Sequence, residues 1–292
     1  MLRCHWAMAL CSGIGLLVVW PCHMPAAPPA AGTTSRQARD EAMRAIPLSK
    51  IDPQQRRRIA AAVNDTTIFR RLPTQVIQCD PEFYVFLVEH PEVIVSVWRA
   101  LGVSDVKLNR MANDVLRADD GAGTVGTVEM VYKDHETHVF YSEGVYDGPV
   151  LASPLRGECV LLLRTSFVRE PNGRYYITCR CDSFVHLDNA TLEVLAKVVQ
   201  PLVGQVADHN FRESALFVGG LNEAAIKNLP AMQELAQRLR DIAPETRKQF
   251  AVLSEKVAIG AAMARTQSDA SSADNEAVRS ARGVRRTAPR PR

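Results

Sequence analysis

Residues 158–221 constrain this chain more than any other stretch. Cys159, Leu161, Leu163, Thr165 and Phe167 alternate onto one face of a first strand. Tyr175, Ile177, Cys179, Cys181, Val185 and Leu187 do the same in a second. Between them lies Glu170-Pro171-Asn172-Gly173, whose Asn-Gly pair accepts the positive φ of a tight turn. The pattern predicts a half-buried antiparallel hairpin. Asp188 and Asn189 then offer a helix N-cap, and Leu192, Leu195, Val199, Leu202 and Val206 follow at helical spacing. A sheet with one apolar face needs a cover, and this helix is the nearest one.

Bulk properties limit the rest. At 292 residues the chain holds one large domain or two small ones, and 47% hydrophobic residues suffice for a core. A net charge of +3 points to no nucleic-acid partner. Residues 1–31 have the form of an export signal: Arg3, an apolar run from Ala7 to Trp20, then small residues and prolines. The apolar run is short for a membrane span. The product is expected to be periplasmic or secreted, or membrane-anchored if the signal stays in place.

Asp52-Pro53 and Asp80-Pro81 each place a capping carboxylate before a proline, the start of a helix. Pro91 divides the second of these helices, and Gly102 ends it. The Arg56-Arg57-Arg58 triplet is expected on a solvated helix face. Residues 74–79 read as an edge strand or a lead-in, and residues 106–187 as a meander of about five strands. Gly121, Gly123 and Gly126 match G-x-G-x-x-G, but a strand pattern follows them where a dinucleotide site needs a helix. They are expected in a hairpin turn. Gly219-Gly220 is expected to close the long helix. Helices starting at Pro230 and Pro244 follow, carrying Met232, Leu235, Leu239 and Ile242, then Phe250, Leu253 and Val257. The last residues lack apolar periodicity.

The order strand, helix pair, antiparallel meander, long C-terminal helix resembles the helix-grip fold of the START-like superfamily (polyketide cyclase and Bet v 1-like proteins). The resemblance covers roughly residues 73–221. It implies a curved sheet wrapped around the last helix and an apolar ligand cavity, and it supplies no functional residue.

Candidates for chemistry are few. Asp134-His135-Glu136-Thr137-His138 invites a metal but falls on a turn, and on a strand the two histidines would face opposite ways. Cys179 and Cys181, about 6.5 Å apart along one strand, are badly placed to pair with each other. Either a bridge from Cys159 to one of them or buried free thiols is open. Asp208-His209-Asn210 suggests an acid–base dyad, yet adjacent helical residues do not face each other. Ser183 and Ser214 have no nucleophile-elbow setting. Arg164, Arg169, Arg174 and Arg180 are expected to face solvent, the alternative being an anionic ligand or the C-terminal helices.

The expected fold is α+β, with about six antiparallel strands on a long C-terminal helix. Its expected parts are the signal (1–31), a linker and helix (32–64), the α+β domain (65–222), a helical extension (223–264) and a disordered basic tail (265–292). The expected function is binding of an apolar or lipid-like molecule without a cofactor or metal. The basic tail would meet an envelope component. An envelope interaction module and a cyclase- or hydrolase-like enzyme are the alternatives.

Overall fold

The computed structural model describes residues 31–149, 151, 153–188 and 205–285. The segment expected to be an export signal, the first part of the helix expected after Asp188 and the last seven residues lie outside them. The elements run α1 (Arg36–Ala45), α2 (Pro53–Asn64), β1 (Ile68–Arg71), β2 (Gln75–Gln78), α3 (Pro81–Glu89), α4 (Pro91–Ala100), β3 (Lys107–Ala112), β4 (Val115–Asp119), β5 (Thr124–Lys133), β6 (Thr137–Tyr146), β7 (Leu155–Arg169), β8 (Tyr175–Leu187), α5 (Gln205–Lys227), α6 (Leu229–Arg238) and α7 (Pro244–Arg285).

The fold is α+β and helix-grip-like: an antiparallel meander packed on a C-terminal helix, with a helical extension. The sheet order is β1-β8-β7-β6-β5-β4-β3, and β2 also pairs with β8. The described residues form eight strands, against about six expected, and two local features explain the difference. Asn113 turns the predicted strand at 106–117 into the hairpin β3–β4. The strand before Pro73 carries too few residues to show a period.

Helix starts follow local chemistry. Asp52 Oδ1 accepts from Gln54 N (2.8 Å) ahead of Pro53. Asp80 Oδ1 accepts from Glu82 N and Phe83 N at 3.0 and 3.1 Å ahead of Pro81. Gly121 and Gly123 lie in a hairpin turn, as expected, whereas Gly126 is already in β5, opposite Gly144. Gly121 has φ 68°, and Asp120 Oδ1 accepts from Ala122 N and Thr124 N.

The strand alternation divides two cores. Ile177 and Cys179 of β8 face a core built with α3, α4, α5, α6 and α7. Val160, Leu162 and Phe184 face a second core with Ala38, Ala42, Ile59 and Val63 of α1 and α2. Both α1, where a short helix around residues 39–46 was expected within the linker, and α2 pack on the sheet, which is therefore covered on both faces. The hairpin's polar-looking face does not simply face water. Gly219-Gly220 does not end the long helix, which continues to Lys227. A Cβ at Gly219 would lie at ordinary contact distance, 3.7 Å, from Gln78 O and from Ile77 Cβ, so α5 packs directly on β2 there. The backbone of α7 is helical to Arg285, through most of the stretch expected to be disordered. Alanine, arginine and glutamate propagate a helix without an apolar period.

Candidate functional site: an apolar cleft rimmed by cations

The β7–β8 turn forms because Gly173 takes φ 81°, Gly173 N donates to Glu170 O (2.9 Å), and Arg174 N donates to Asn172 Oδ1 (2.9 Å). The turn reaches α7, where a Cβ on Gly173 would lie 3.3 Å from Ala264 Cβ. Between this turn, edge strand β2, α5 and α7 opens a cleft of about 1030 Å³. Its floor is buried Ile77, Cys79 and Val257. Its walls carry exposed aliphatic groups: Val76 at 61%, Leu216 at 54% and Met263 at 62%. Isolated exposed apolar residues are ordinary, but several lining one concavity are the usual form of a ligand site.

Four cations line the cleft: Arg169, Arg174, Lys227 and Arg265. Lys227 is taken by Glu223 at 2.5 Å. Arg169 lies over the Tyr175 ring at 5.6 Å, and Arg265 Nε donates to Ala261 O. Among the described residues none of the three arginines makes an ion pair. The other carboxylate of the cleft, Asp80, is spent on capping α3. The cleft thus offers an apolar channel with free positive charge at its margin.

The other candidate residues are accounted for elsewhere. Asp208 is 7% exposed and clamped by Arg70: Nε donates to Oδ1 at 2.8 Å and Nη2 to Oδ2 at 2.5 Å, while Gly32 N also donates to Oδ2. His209 instead lies 3.7 Å from Glu213. There is no Asp208–His209 dyad. Cys79, Cys159, Cys179 and Cys181 are free thiols. The register sets Cys159 opposite Val185, Cys179 opposite Thr165 and Cys181 opposite Leu163, so Cys159 faces neither cysteine across the strands. Burial pushes the thiols of Cys159 and Cys179 up to about 11, which keeps them protonated and poorly nucleophilic at neutral pH. Ser183 lies 3.7 Å from Cys159 Sγ, with no base in contact.

No protein family model matches this chain, and no curated protein matches it. Among solved structures it is similar to the crystal structure of the di-domain aromatase/cyclase (ARO/CYC) BexL from the BE-7585A biosynthetic pathway. Identity is 16% and the TM-score 0.32, over 63% of this chain and 58% of that one. The chain thus spans less than two thirds of that protein's length. Similarity at this level carries across neither a ligand nor a residue role.

The two histidines of the 134–138 segment do not diverge as a strand would place them. His135 sits in the turn, and its ring leans on Phe167 (4.5 Å). His138 lies in β6 beside Leu163, on the same sheet face as Phe167. Among the described residues no cluster of three or more His, Cys, Asp or Glu side chains forms a metal site. His138 is fully buried, with neither ring nitrogen hydrogen-bonded and Glu89 Oε1 3.9 Å from Nε2. Burial pushes its pKa down, against the pull of Glu89 and Asp134. The unfolded chain takes up this proton near pH 6.5 while the folded chain resists it, so stability falls as pH drops below that value. The slope is up to about 1.4 kcal/mol per pH unit. His138→Leu should remove that component from urea midpoints measured between pH 7 and 5. Equal slopes in both proteins would disprove it.

Nothing in the sequence marked Val76, Leu216 or Met263 as a group, because they come from three distant elements. The usable local signals were the edge strand after Pro73 and the double glycine in α5.

Proposed function

We propose that this chain is an exported, non-catalytic protein that binds an anionic amphiphile, an aliphatic chain ending in an acidic group. The observation that carries the reading is the cleft: exposed aliphatic walls beside guanidinium groups without carboxylate partners. The signal-like N-terminus supports export. The proposed ligand lies against β2 and the C-terminal helices, where the apolar surface is open. The space between α5 and the strands beneath it is filled by Ile77, Ile177, Ala215, Val218 and Leu221.

That filling supports a second reading, an envelope interaction module without a small ligand. The outer face of α7, which carries exposed Val252 and Ile259, would then be its contact surface. The enzyme reading has less behind it, since the thiols are held protonated and the candidate dyad is absent.

Titration with cis-parinaric acid, followed by fluorescence, separates the two main readings. Saturable binding is expected, and Arg169→Ala with Arg174→Ala should raise Kd about tenfold, the equivalent of one lost charge-assisted contact. The corresponding alcohol should bind the unaltered protein more weakly than the acid. Absence of binding, or equal binding of acid and alcohol, would remove the carrier reading and leave the interaction module.

A further inference from the structure

A second group of arginines, none of them lining the cleft, lies on the sheet face that carries α1. Arg164 and Arg180 are direct cross-strand partners in β7 and β8. Like charges placed opposite each other on a sheet repel. Arg71 is close enough to add to that repulsion: burial, then Arg164, then Arg71 all press the Arg180 guanidinium toward losing its proton.

The available carboxylates do not resolve this crowding. Asp182 is fully buried and accepts from Arg71 Nε (2.6 Å), Arg71 Nη2 (3.4 Å) and Arg164 Nη2 (3.3 Å). Glu41 is bound by Arg71 Nη1 at 2.9 Å and by Gln37. Three guanidiniums therefore share two occupied carboxylates. Arg180 makes no ion pair or side-chain hydrogen bond among the described residues. Arg164 Nε is sheltered from water and has no partner. The next cross-strand pair on this face is Ser166 and Thr178, two hydroxyls beside two guanidiniums.

We infer that Arg164 and Arg180, with Ser166 and Thr178, form a binding site for a phosphate-type dianion. A tetrahedral dianion between the two arginines relieves their repulsion. It accepts paired N–H bonds from each planar fork and bonds from the hydroxyls, the usual chemistry of arginine–phosphate recognition. Neither arginine lines the apolar cleft, so the site stands whether or not that cleft holds an amphiphile. The dianion is either free phosphate or a phosphomonoester headgroup.

Isothermal titration of the full chain with inorganic phosphate tests it, against chloride at equal ionic strength. Saturable phosphate binding is expected. Arg180→Gln should raise Kd about tenfold, and without phosphate it should melt no lower than the unaltered protein, because a repulsion is removed. Exposed Arg57→Gln should leave the affinity unchanged. Sedimentation with phosphatidylcholine vesicles, with and without phosphatidic acid, identifies the source. Arg180-dependent co-sedimentation with phosphatidic acid points to a headgroup, and its absence alongside free-phosphate binding points to a soluble ligand. No phosphate binding above the chloride control, or equal phosphate affinity in Arg180→Gln, would overturn the site.

Discussion

Asp182→Asn is expected to lower the unfolding free energy by about 3–5 kcal/mol, the cost of removing one partner from a buried ion pair. The Asp182 carboxylate has no exposed surface and is held by two arginines on different strands, Arg71 of β1 and Arg164 of β7. Through Arg71 the network continues to Glu41 and to Ala38 O, so it ties α1 to the sheet edge. An amide at position 182 keeps one accepting oxygen but replaces the other with an NH2 group facing guanidiniums that can only donate. Arg164 then loses its counter-charge and Arg71 keeps only Glu41, so the attachment of α1 to the sheet weakens. Urea unfolding followed by far-UV circular dichroism measures the loss. A change below about 1 kcal/mol would show the pair to be solvated, as surface ion pairs are.

Phe250→Ala is expected to cost about 3–5 kcal/mol as well, through lost burial and the cavity left behind. The Phe250 ring is fully buried and stacks on Phe83 at 5.8 Å and Phe86 at 6.4 Å, both from α3. Those rings belong to one core with Leu87, Leu253 and Val257. α7 is thus part of the domain's interior rather than an appendage behind it. Thermal unfolding should show a single transition at lower temperature in the variant. A second, independent transition, or an unchanged midpoint, would show that residues beyond 222 fold as a separate unit.

The two expectations of large effect rest on features that the sequence expressed unequally. Phe250, Leu253 and Val257 stood at helical spacing after Pro244, so an apolar helix face was legible, and it needed some surface to cover. Which surface was not legible, because α3 lies more than a hundred residues earlier. Asp182 falls, by alternation with Cys179 and Cys181, on the polar-looking face of its strand. Its burial follows from α1 and α2 packing on that face, a long-range event that leaves no trace in strand periodicity.

The cleft shows the same limit. Arg169 and Arg174 flank a turn that Asn172-Gly173 announces, and both arginines were visible as candidates. Val76 and Leu216 were ordinary apolar residues of their own elements. They become a wall only where α5 crosses β2 at Gly219. Similarly, Cys159, Cys179 and Cys181 were correctly placed on one strand face. Their separation depended on register, which sets Cys159 opposite Val185.

Sequence alone determined the local features: the helix starts at Asp52, Asp80, Pro91 and Pro244, the turns at Gly121 and Asn172-Gly173, and the inward face of the β7–β8 hairpin. Each depends on contacts within a few residues, where capping bonds, φ preferences and alternation are decided. The tertiary structure alone decided that the sheet is covered on both faces, that Asp182 and Asp208 are buried counter-ions, and that arginines and aliphatic groups share a cleft. Those outcomes depend on which distant surfaces meet, and the burial of a charge or the exposure of an aliphatic group is a property of that meeting.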